Sequence, residues 1–516
     1  MMEYASHPLL KPNTLELRDY QTRILSEILG RNSLVILPTG MGKTYVALLT
    51  TCGRLARFPD SRVLLMAPTR PLTVQHYETF RRCLNLPEGE LRFLTGEIAP
   101  WERERAWKEG KVFFATPQVV ERDLLTGKLS LEDFSLLIFD EAHRAVGDYP
   151  YVFIASQYLR TARNPMILAL TASPGGERER IEEVKRNLSI ECVQLRTEKS
   201  RDVRPYLMPV QVEWRRVELP EYFVTLKRLL EEQLKEHLQA LKKTGYLPSI
   251  QNVAKRDLLE LQRRLLSDLR EGREVSQALV SQAASLKLLH ALELLETQGV
   301  YALRAFLARL EAKSRQPGSK RVDRILSQDH RMRTVLSLAK SVEERGLPDH
   351  PKLEECLKCV NEQLARNPSS RILIFTNFRD TTERLTALLR ASGVRSERLL
   401  GQAEREGGGG MTQAEQLRAI EMLKRGEVNV LVCTAVGEEG LDIPEVELVI
   451  FYEAVPSEIR AIQRRGRTGR TRPGRVVVLL AKGTRDEAYY WSAVRREREM
   501  RKLLGQRKLE EFAWRS

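Results

Sequence analysis

Cysteine is scarce in this sequence, and long hydrophobic runs are missing. Six cysteines are scattered over 516 residues, a pattern that favours reduced thiols over a disulfide framework. No apolar run approaches the roughly 18 residues that a membrane-spanning helix needs. The first residues, MMEYASHPLLKPN, lack the cationic stretch and apolar core of a secretory signal. We therefore expect a cytoplasmic protein without a membrane partner.

One cysteine pair has the spacing of a metal site. Cys356 and Cys359 form a CxxC motif in EECLKCV, without a second pair or a nearby histidine. A structural zinc ion usually takes four ligands. The pair therefore more simply predicts two cysteines on the partly buried face of a helix.

Acidic residues are outnumbered by basic ones. The chain has 84 Lys and Arg against 69 Asp and Glu, a net charge of +15, which favours a polyanionic partner. With 42% hydrophobic and 30% charged residues, the composition is that of a globular chain rather than a disordered one. The length exceeds what one hydrophobic core supports, so we expect several domains.

Short apolar runs alternate with helical patterns in two separate stretches. Uninterrupted runs of this length are typical of strands buried in a parallel sheet. The first stretch contains SLVILP (33–38), RVLLMAP (62–68), KVFFATP (111–117), LLIFDE (136–141) and MILALTA (166–172). The second contains RILIFTN (371–377), NVLVCTA (429–435), ELVIFYE (447–453) and RVVVLLA (475–481). The sequence therefore predicts two α/β domains.

Between these stretches the apolar residues follow helical spacing, with turn residues such as Gly272 and Gly299 between segments. Leucine stripes on the predicted helices are expected to form a core. One such stripe contains Leu258, Leu259, Leu265, Leu266 and Leu269. We therefore expect an α/β domain at 1–205, an all-helical insert at 206–345, and a second α/β domain with a helical tail at 346–516.

The segment LPTGMGKT (37–44) follows a predicted strand and precedes a predicted helix. Backbone N–H groups at such a helix N-terminus bind phosphate oxygens. Lys43 is expected to reach the β- and γ-phosphates, and the Thr44 hydroxyl to bind Mg²⁺. Leu37 stands where the general motif has its first glycine. The residues expected to bind the nucleotide here are Pro38, Thr39, Gly40, Met41, Gly42, Lys43 and Thr44.

Two carboxylates end the predicted strand in LLIFDEAH (136–143). Asp140 is expected to hold the metal ion, directly or through a water, and Glu141 to polarise a water for attack on the γ-phosphate. An acid pair at a strand end can be purely structural. Together with the Lys43 motif, it predicts a nucleoside-triphosphatase site that takes ATP and Mg²⁺.

These motifs resemble those of the superfamily 2 helicases and stand in that family's order. LRDYQ (17–21) resembles the adenine-reading motif, with Gln21 as the reader. VGEEGLDIPEVELVIFYEAVPSEIRAIQRRGRTGRT (436–471) is similar to the helicase half of archaeal Hef and of the Fanconi anaemia group M helicase. The resemblance implies two RecA-like parallel-sheet motor domains around an all-helical insert.

The resemblance also assigns roles around the nucleotide. In this family the second motor closes over ATP held by the first, and two arginines stabilise charge on the transferring phosphoryl group. The implied catalytic residues of the second motor are Gln463, Arg467 and Arg470. Asp442 joins the nucleotide contacts, and His143, Thr171 and Ser173 would couple the ATP site to domain movement.

Contacts to a nucleic-acid strand are implied on both motors. Hydroxyl, amide and backbone groups suit phosphate contacts, which carry no base information. The implied contacts are Thr69, Arg70, Thr95, Gly96, Thr116, Thr376, Asn377 and Thr434. The insert resembles the thumb-like domain that grips duplex near a branch, although it could instead be a structural brace.

The expected function is an ATP-dependent DNA helicase or translocase acting on forked, branched or single-stranded DNA. A duplex-RNA-stimulated ATPase of the RNA-sensor and Dicer branch, or a nucleic-acid scaffold without turnover, are the alternatives. No nuclease motif appears, so we expect no nuclease activity. A sliding clamp or single-strand-binding protein as partner, and a nucleoid-associated prokaryotic or archaeal setting, follow from the resemblance alone.

Overall fold

The computed structural model contains two parallel sheets and a helical bundle. It describes residues 4–87, 89–173, 178–197, 200–206, 208–251, 253–347, 349–401, 410–437, 441, 443–453, 468, 473–496 and 498–499.

The first sheet has seven parallel strands in the order β3-β4-β2-β5-β6-β1-β7. They are β1 (Ser33–Ile36), β2 (Arg62–Met66), β3 (Leu91–Leu94), β4 (Val112–Ala115), β5 (Phe134–Phe139), β6 (Ile167–Thr171) and β7 (Cys192–Leu195). The helices are α1 (Asp19–Ile28), α2 (Lys43–Arg57), α3 (Arg70–Cys83), α4 (Pro100–Glu109), α5 (Pro117–Leu125), α6 (Pro150–Thr161) and α7 (Arg178–Asn187). Short 3₁₀ turns span Ala142–Arg144 and Arg204–Tyr206.

Helices cover both faces of this sheet. Along β1, Leu34 and Ile36 enter one core whereas Val35 enters the other. Successive side chains of a strand point to opposite faces, so a strand buried on both sides must be apolar throughout. This explains the uninterrupted runs in the sequence.

The second sheet has six parallel strands in the order β10-β11-β9-β12-β13-β8. They are β8 (Val210–Val217), β9 (Ile372–Phe375), β10 (Ser396–Leu399), β11 (Val430–Cys433), β12 (Leu448–Phe451) and β13 (Gly474–Ala481). Its helices are α14 (Pro351–Arg366), α15 (Arg379–Ala391) and α16 (Gln413–Arg425), and residues 485–496 are also helical. The predicted fold class, two parallel-sheet domains around a helical one, is confirmed.

Strand β8 lies in the second sheet although it precedes the bundle in the chain. It runs parallel to β13 from Val210, opposite Gly474, to Val217, and Arg475 pairs with Glu213 at 3.0 Å. The start of the helical insert at residue 206 is therefore corrected, because the chain adds this edge strand before the first long helix begins.

The bundle contains six helices in its described residues. They are α8 (Glu221–Lys243), α9 (Lys255–Arg270), α10 (Ser276–Thr297), α11 (Val300–Ser314), α12 (Arg321–Gln328) and α13 (His330–Glu344). Within the described chain, α10 is also long and apolar enough to cross a membrane, yet 61% of its apolar window is buried. It packs inside the leucine core of the bundle, which accounts for its composition.

Two details of the helical regions refine the predictions. On α9, Leu259, Leu266 and Leu269 are exposed rather than in the core, because this helix buries only its opposite face.

On α14, Cys356 and Cys359 pack in the core behind the second sheet. Burial raises the pKa of both thiols, that of Cys359 to about 11, so both stay protonated near neutral pH.

Candidate functional site

At one position of the loop before α2, the backbone has a conformation that favours glycine. Gly42 has φ 70°, in the left-handed region that favours glycine. A Cβ built there would lie 2.6 Å from Nε2 of Gln21, too close for any side chain. The Tyr20 hydroxyl donates to the Met41 carbonyl at 2.8 Å. Helix α1 thus packs against the loop and places Gln21 beside it.

A cleft of about 1210 Å³ opens in front of this loop. From the first motor it is lined by residues that include Thr39, Gly40, Lys43, Thr44, His76, Asp140 and Glu141. From the second motor it is lined by Gln413, Leu417, Leu441 and Ile443. The phosphate loop and the acid pair therefore face one space between the two motors.

The acid pair is held rigidly at the end of β5. The Asp140 amide donates to the Met66 carbonyl at 2.9 Å, and the Tyr151 hydroxyl donates to the Asp140 carbonyl at 2.8 Å. Glu141 has φ 49°, a conformation that is uncommon for a residue with a side chain and typical of functional sites. Both carboxylates are nearly buried, at 4% and 8% exposed.

Asp140 keeps its charge despite this burial. Burial alone would raise its pKa, but His76 and Lys43 outweigh that effect, and the pKa is held below its ordinary value. A buried anionic carboxylate attracts cations strongly. The strand end can therefore hold a divalent metal ion.

His76 was not predicted from the sequence, yet it stands at the centre of the site. It lies in the middle of α3 and is 5% exposed. Its Nδ1 is 3.2 Å from the Thr44 hydroxyl oxygen, and its Nε2 is 2.8 Å from Oδ2 of Asp140. A single histidine in a helix gives no local signal, because its partners lie 32 and 64 residues away in sequence.

Several buried polar atoms in the cleft lack a hydrogen-bond partner among the described residues. They include Oγ1 of Thr39 and Oδ1 of Asp140, and Oε1 of Gln21 lies beside the cleft, next to Gly42. Unpaired buried polar atoms cost free energy, so their clustering is typical of a site that a polar ligand completes. These atoms fit a nucleotide and its Mg²⁺, with Thr44 and Asp140 as the residues that would hold the ion.

The three residues predicted to couple the site to domain movement are in contact. Nδ1 of His143 is 3.2 Å from the Thr171 hydroxyl oxygen. That hydroxyl donates to the Ser173 carbonyl at 2.8 Å, and all three residues are buried. Nδ1 of His143 is also 3.3 Å from Oε2 of Glu141, so the contacts run from the acid pair to the end of β6.

The predicted strand contacts of the first motor lie at one end of its sheet. Thr69, Thr95 and Thr116 follow β2, β3 and β4, which are adjacent strands. Gly96 is exposed, while Arg70 is 2.5 Å from Glu97. Parallel strands bring their carboxyl ends to the same edge, so these loops form one surface.

A buried ion pair ties these loops together. Arg103 on α4 makes two hydrogen bonds to Asp123 on α5, at 2.8 and 2.6 Å. Its third contact is a donation to the Ile98 carbonyl at 2.6 Å, and Trp107 donates to Asp123 at 2.9 Å. The loop after β3 is thereby fixed relative to α5.

The predicted contacts of the second motor need one correction. Thr376 is fully buried, and its hydroxyl donates to Glu453 at 2.8 Å, so in this structure that side chain is not available to a phosphate. Asn377 is exposed, and its backbone N–H donates to the Glu453 carboxylate at 2.8 Å. Thr434 is 9% exposed.

Four predicted residues of the second motor lie outside the described residues. They are Asp442, Gln463, Arg467 and Arg470. Their approach to the cleft stays a prediction.

Models of known protein families match three parts of the chain. The DEAD/DEAH box helicase model matches residues 18–181, and the model of the helicase conserved C-terminal domain matches residues 352–472. Between them, residues 222–346 match a helical bundle described as that of a putative ATP-dependent RNA helicase. These matches fall on the two sheets and the bundle.

Individual relatives agree with these matches. The putative ATP-dependent RNA helicase MJ1505 of Methanocaldococcus jannaschii is 43% identical over 502 residues, or 97% of this chain and 62% of that protein. The ATP-dependent DNA helicase MPH1 of Pyricularia oryzae is 32% identical over 97% of this chain and 48% of that protein. The crystal structure of the Pyrococcus furiosus Hef helicase domain is 46% identical with a TM-score of 0.72, covering 94% of this chain and 99% of that one.

The two sheets with the bundle between them have the fold of the Hef helicase domain. The chain belongs to the DEAD/DEAH-box helicases of superfamily 2, close to the helicase domain of Hef. It spans 62% of the archaeal relative's length and 48% of the fungal relative's.

Proposed function

We propose that this chain is an ATP-dependent DNA helicase or translocase that remodels forked and branched DNA in replication-fork repair and recombination. The observation that carries the proposal is the similarity to the Hef helicase domain over nearly its whole length, together with the complete acid pair and phosphate loop in one cleft. The fungal relatives are named DNA helicases, which supports DNA as the substrate.

Hydrolysis in this proposal uses the residues around the cleft. Lys43 neutralises phosphate charge, and Glu141 accepts a proton from the attacking water. Mg²⁺, held by Thr44 and Asp140, would offset the charge that develops on the phosphate oxygens. Gln463, Arg467 and Arg470 would reach the nucleotide from the second motor, so that ATP binding draws the motors together.

Movement along DNA would follow from changes at the strand-contact surface. His143, Thr171 and Ser173 form a continuous path from the acid pair, which suits a role in coupling. The helical bundle would contact duplex DNA near the branch, and its basic side chains would make binding strongly salt-dependent. Cytoplasmic location at the nucleoid, and a sliding clamp or single-strand-binding protein as partner, belong to the same proposal.

An RNA-stimulated ATPase is the second candidate. It is favoured by the name of the Methanocaldococcus relative and by the description of the bundle model, both of which refer to RNA helicases. Both candidates use the same cleft, so only the stimulating nucleic acid separates them.

The test is steady-state ATP hydrolysis with no nucleic acid, forked DNA, linear duplex DNA, single-stranded DNA and duplex RNA, at matched nucleotide concentration and salt. We expect the fork to stimulate most, and Glu141→Gln to lower hydrolysis by about 10²–10⁴-fold in every condition. Stimulation mainly by duplex RNA would replace the first candidate with the second. An unchanged rate in Glu141→Gln would remove Glu141 from the mechanism.

A further inference from the structure

The two ring nitrogens of His76 have different partners, and for a neutral ring these partners assign the proton to one nitrogen. The Asp140 carboxylate can only accept hydrogen bonds, so Nε2, 2.8 Å from its Oδ2, is the donor. In the neutral ring, Nδ1 is then an acceptor. The Thr44 hydroxyl, 3.2 Å away, donates its proton to it.

This arrangement leaves oxygen lone pairs available on both neighbours. A hydroxyl that donates its proton to Nδ1 has its own lone pairs turned away from the ring. At Asp140, Oδ2 is taken by His76, while Oδ1 is buried and has no hydrogen-bond partner in the described structure. Each of the two side chains thus keeps an oxygen free, and both are the oxygen ligands that Mg²⁺ prefers.

The ring itself has little freedom to turn. His76 is 5% exposed on the cleft side of α3, and Thr73, one turn earlier, is bonded to the Thr69 and Ala67 carbonyls. These bonds anchor the start of the helix to the end of β2. The imidazole is therefore a fixed support for its two partners rather than a mobile side chain.

We infer that His76 is a positioning residue that orients both Thr44 and Asp140 for the divalent cation. It accepts the Thr44 proton on Nδ1 and donates the Nε2 proton to Asp140, so that both side chains present oxygen lone pairs to the ion. The inference rests on the proposed use of Mg²⁺–ATP in this cleft. Hydrogen-bonding partners of metal ligands commonly contribute 10–100-fold to metal affinity.

The inference is tested by cation affinity rather than by turnover. A fluorescent, non-hydrolysable ATP analogue is titrated onto the full chain without nucleic acid, first in EDTA and then at rising Mg²⁺ concentration. His76→Phe removes both hydrogen bonds. We expect its half-saturating Mg²⁺ concentration to rise about 10–100-fold, a larger change than that in its affinity for the analogue in EDTA.

Two further variants separate positioning from packing. In His76→Gln, the amide can accept from Thr44 and donate to Asp140, so we expect the Mg²⁺ requirement to return to within about threefold of the wild type. His76→Asn is too short to serve both partners, and we expect an intermediate value. The exposed His330, at 86%, is the control position, where His330→Phe should change nothing.

Each outcome has one meaning. A His76→Phe titration that matches the wild type would overturn the positioning role, as would an equal loss of analogue affinity with and without Mg²⁺, which indicates packing alone. Melting temperatures of all variants identify any that fail to fold. If His76→Phe does not fold, the Mg²⁺ requirements of His76→Asn and His76→Gln are compared instead. A wild-type chain that binds no analogue, or binds it without any Mg²⁺ dependence, would instead reject the proposed function.

Discussion

Two of the regions in which this molecule buries polar side chains differ in how those side chains are paired. In the cleft between the motors and beside it, the Thr39, Asp140 and Gln21 side chains each have a buried oxygen without a partner in the described structure. At the junction between the helical bundle and the second motor, which we call the bundle junction, buried carboxylates face donors or cations. Both regions are polar, yet the Glu453, Glu296 and Asp486 carboxylates at the bundle junction each face a protein donor or cation, whereas the cleft oxygens do not.

The bundle junction contains a continuous network. Glu453, at the end of β12, accepts from Gln298 at the end of α10, at 2.5 Å, and from Thr376 at 2.8 Å. Glu296 pairs with Lys227 at 2.9 Å. Lys352 and Asp486 form a fully buried ion pair. Carboxylates from three different parts of the chain therefore meet partners in one place.

The difference indicates which regions can rearrange. The hydrogen bond from Gln298 to Glu453 joins the bundle to the second motor. Buried contacts of this kind make a packing arrangement rigid and specific, so we expect the bundle and the second motor to move together. Unpaired groups in the cleft gain partners only when a ligand arrives. Opening and closing should therefore occur at the cleft, with the bundle junction intact.

Breaking the buried ion pair between Lys352 and Asp486 should have the largest effect on the free energy of unfolding. Lys352→Met leaves the Asp486 carboxylate buried without its cation, and removing one partner of such a pair typically costs about 3–5 kcal/mol. Unfolding by urea should report this loss. The double variant Lys352→Met with Asp486→Leu removes both charges, and we expect it to recover most of the stability.

Lys108→Met is the matched control for this prediction. Lys108 pairs with Glu104 at 2.9 Å on the surface of α4, where its side chain is 70% exposed, and exposed pairs contribute about 0.5 kcal/mol or less. If Lys352→Met were no more harmful than Lys108→Met, the bundle junction would not stabilise the fold as described.

Removing the hydroxyl from Thr376 should have the next largest effect. Thr376→Val keeps the shape but deletes a buried donor to Glu453. A hydrogen bond to a charged group contributes about 1.5–3 kcal/mol, and we expect a loss of that size in urea unfolding. Loss of DNA binding without loss of stability would contradict this role and restore Thr376 as a phosphate contact.

The junction should also weaken in acid through His350. Burial, with the charge of Lys352 adding to it, lowers the pKa of His350 to about 3, although the hydrogen bond to the Glu296 carbonyl opposes this shift. Nδ1 accepts from the Lys352 amide and Nε2 donates to the Glu296 carbonyl, so the folded protein holds a neutral ring. The unfolded chain binds a proton near pH 6.5 but the folded chain does not, so stability falls as pH drops from 6.5 towards 3. At pH 5 the loss from this group is about 2 kcal/mol.

Comparing His350→Asn with the wild type isolates this contribution. Asparagine retains an acceptor for the start of α14 but does not titrate. The free energy of unfolding of His350→Asn should therefore fall less between pH 8 and pH 5 than that of the wild type. His330→Asn, at a side chain that is 86% exposed, should follow the wild-type curve. Parallel curves for wild type and His350→Asn would contradict a neutral buried histidine.

The sequence predicts the interior of both sheets but not their edges. All nine strands predicted from apolar runs are present. Among the described residues, four further strands were not predicted, and these are the edge strands β3, β7, β8 and β10. A strand with one open edge mixes polar and apolar residues. VQVEWRRV of β8 is an example. Its pattern resembles a loop until the neighbouring strand is known.

The candidate site shows the same division. Lys43, Thr44, Asp140 and Glu141 were predicted because each belongs to a contiguous motif with a fixed spacing. His76 and Glu453 were not, because their roles come from contacts with residues that only the fold brings near. A lone histidine or glutamate in a sequence has no such marker.

Removing the hydroxyl from Thr39 should have the smallest effect on stability, and it completes the comparison with Thr376→Val. The Thr39 hydroxyl oxygen is buried without a partner in the described structure, so Thr39→Val deletes no hydrogen bond of the free protein. We expect the free energy of unfolding to change by about 0.5 kcal/mol or less, while affinity for the ATP analogue falls by about 10-fold or more as a bond to a charged phosphate is lost. The same substitution would then cost stability at the junction and ligand affinity in the cleft. Equal destabilisation by both variants would mean that Thr39 is already satisfied, and that the two regions do not differ as argued.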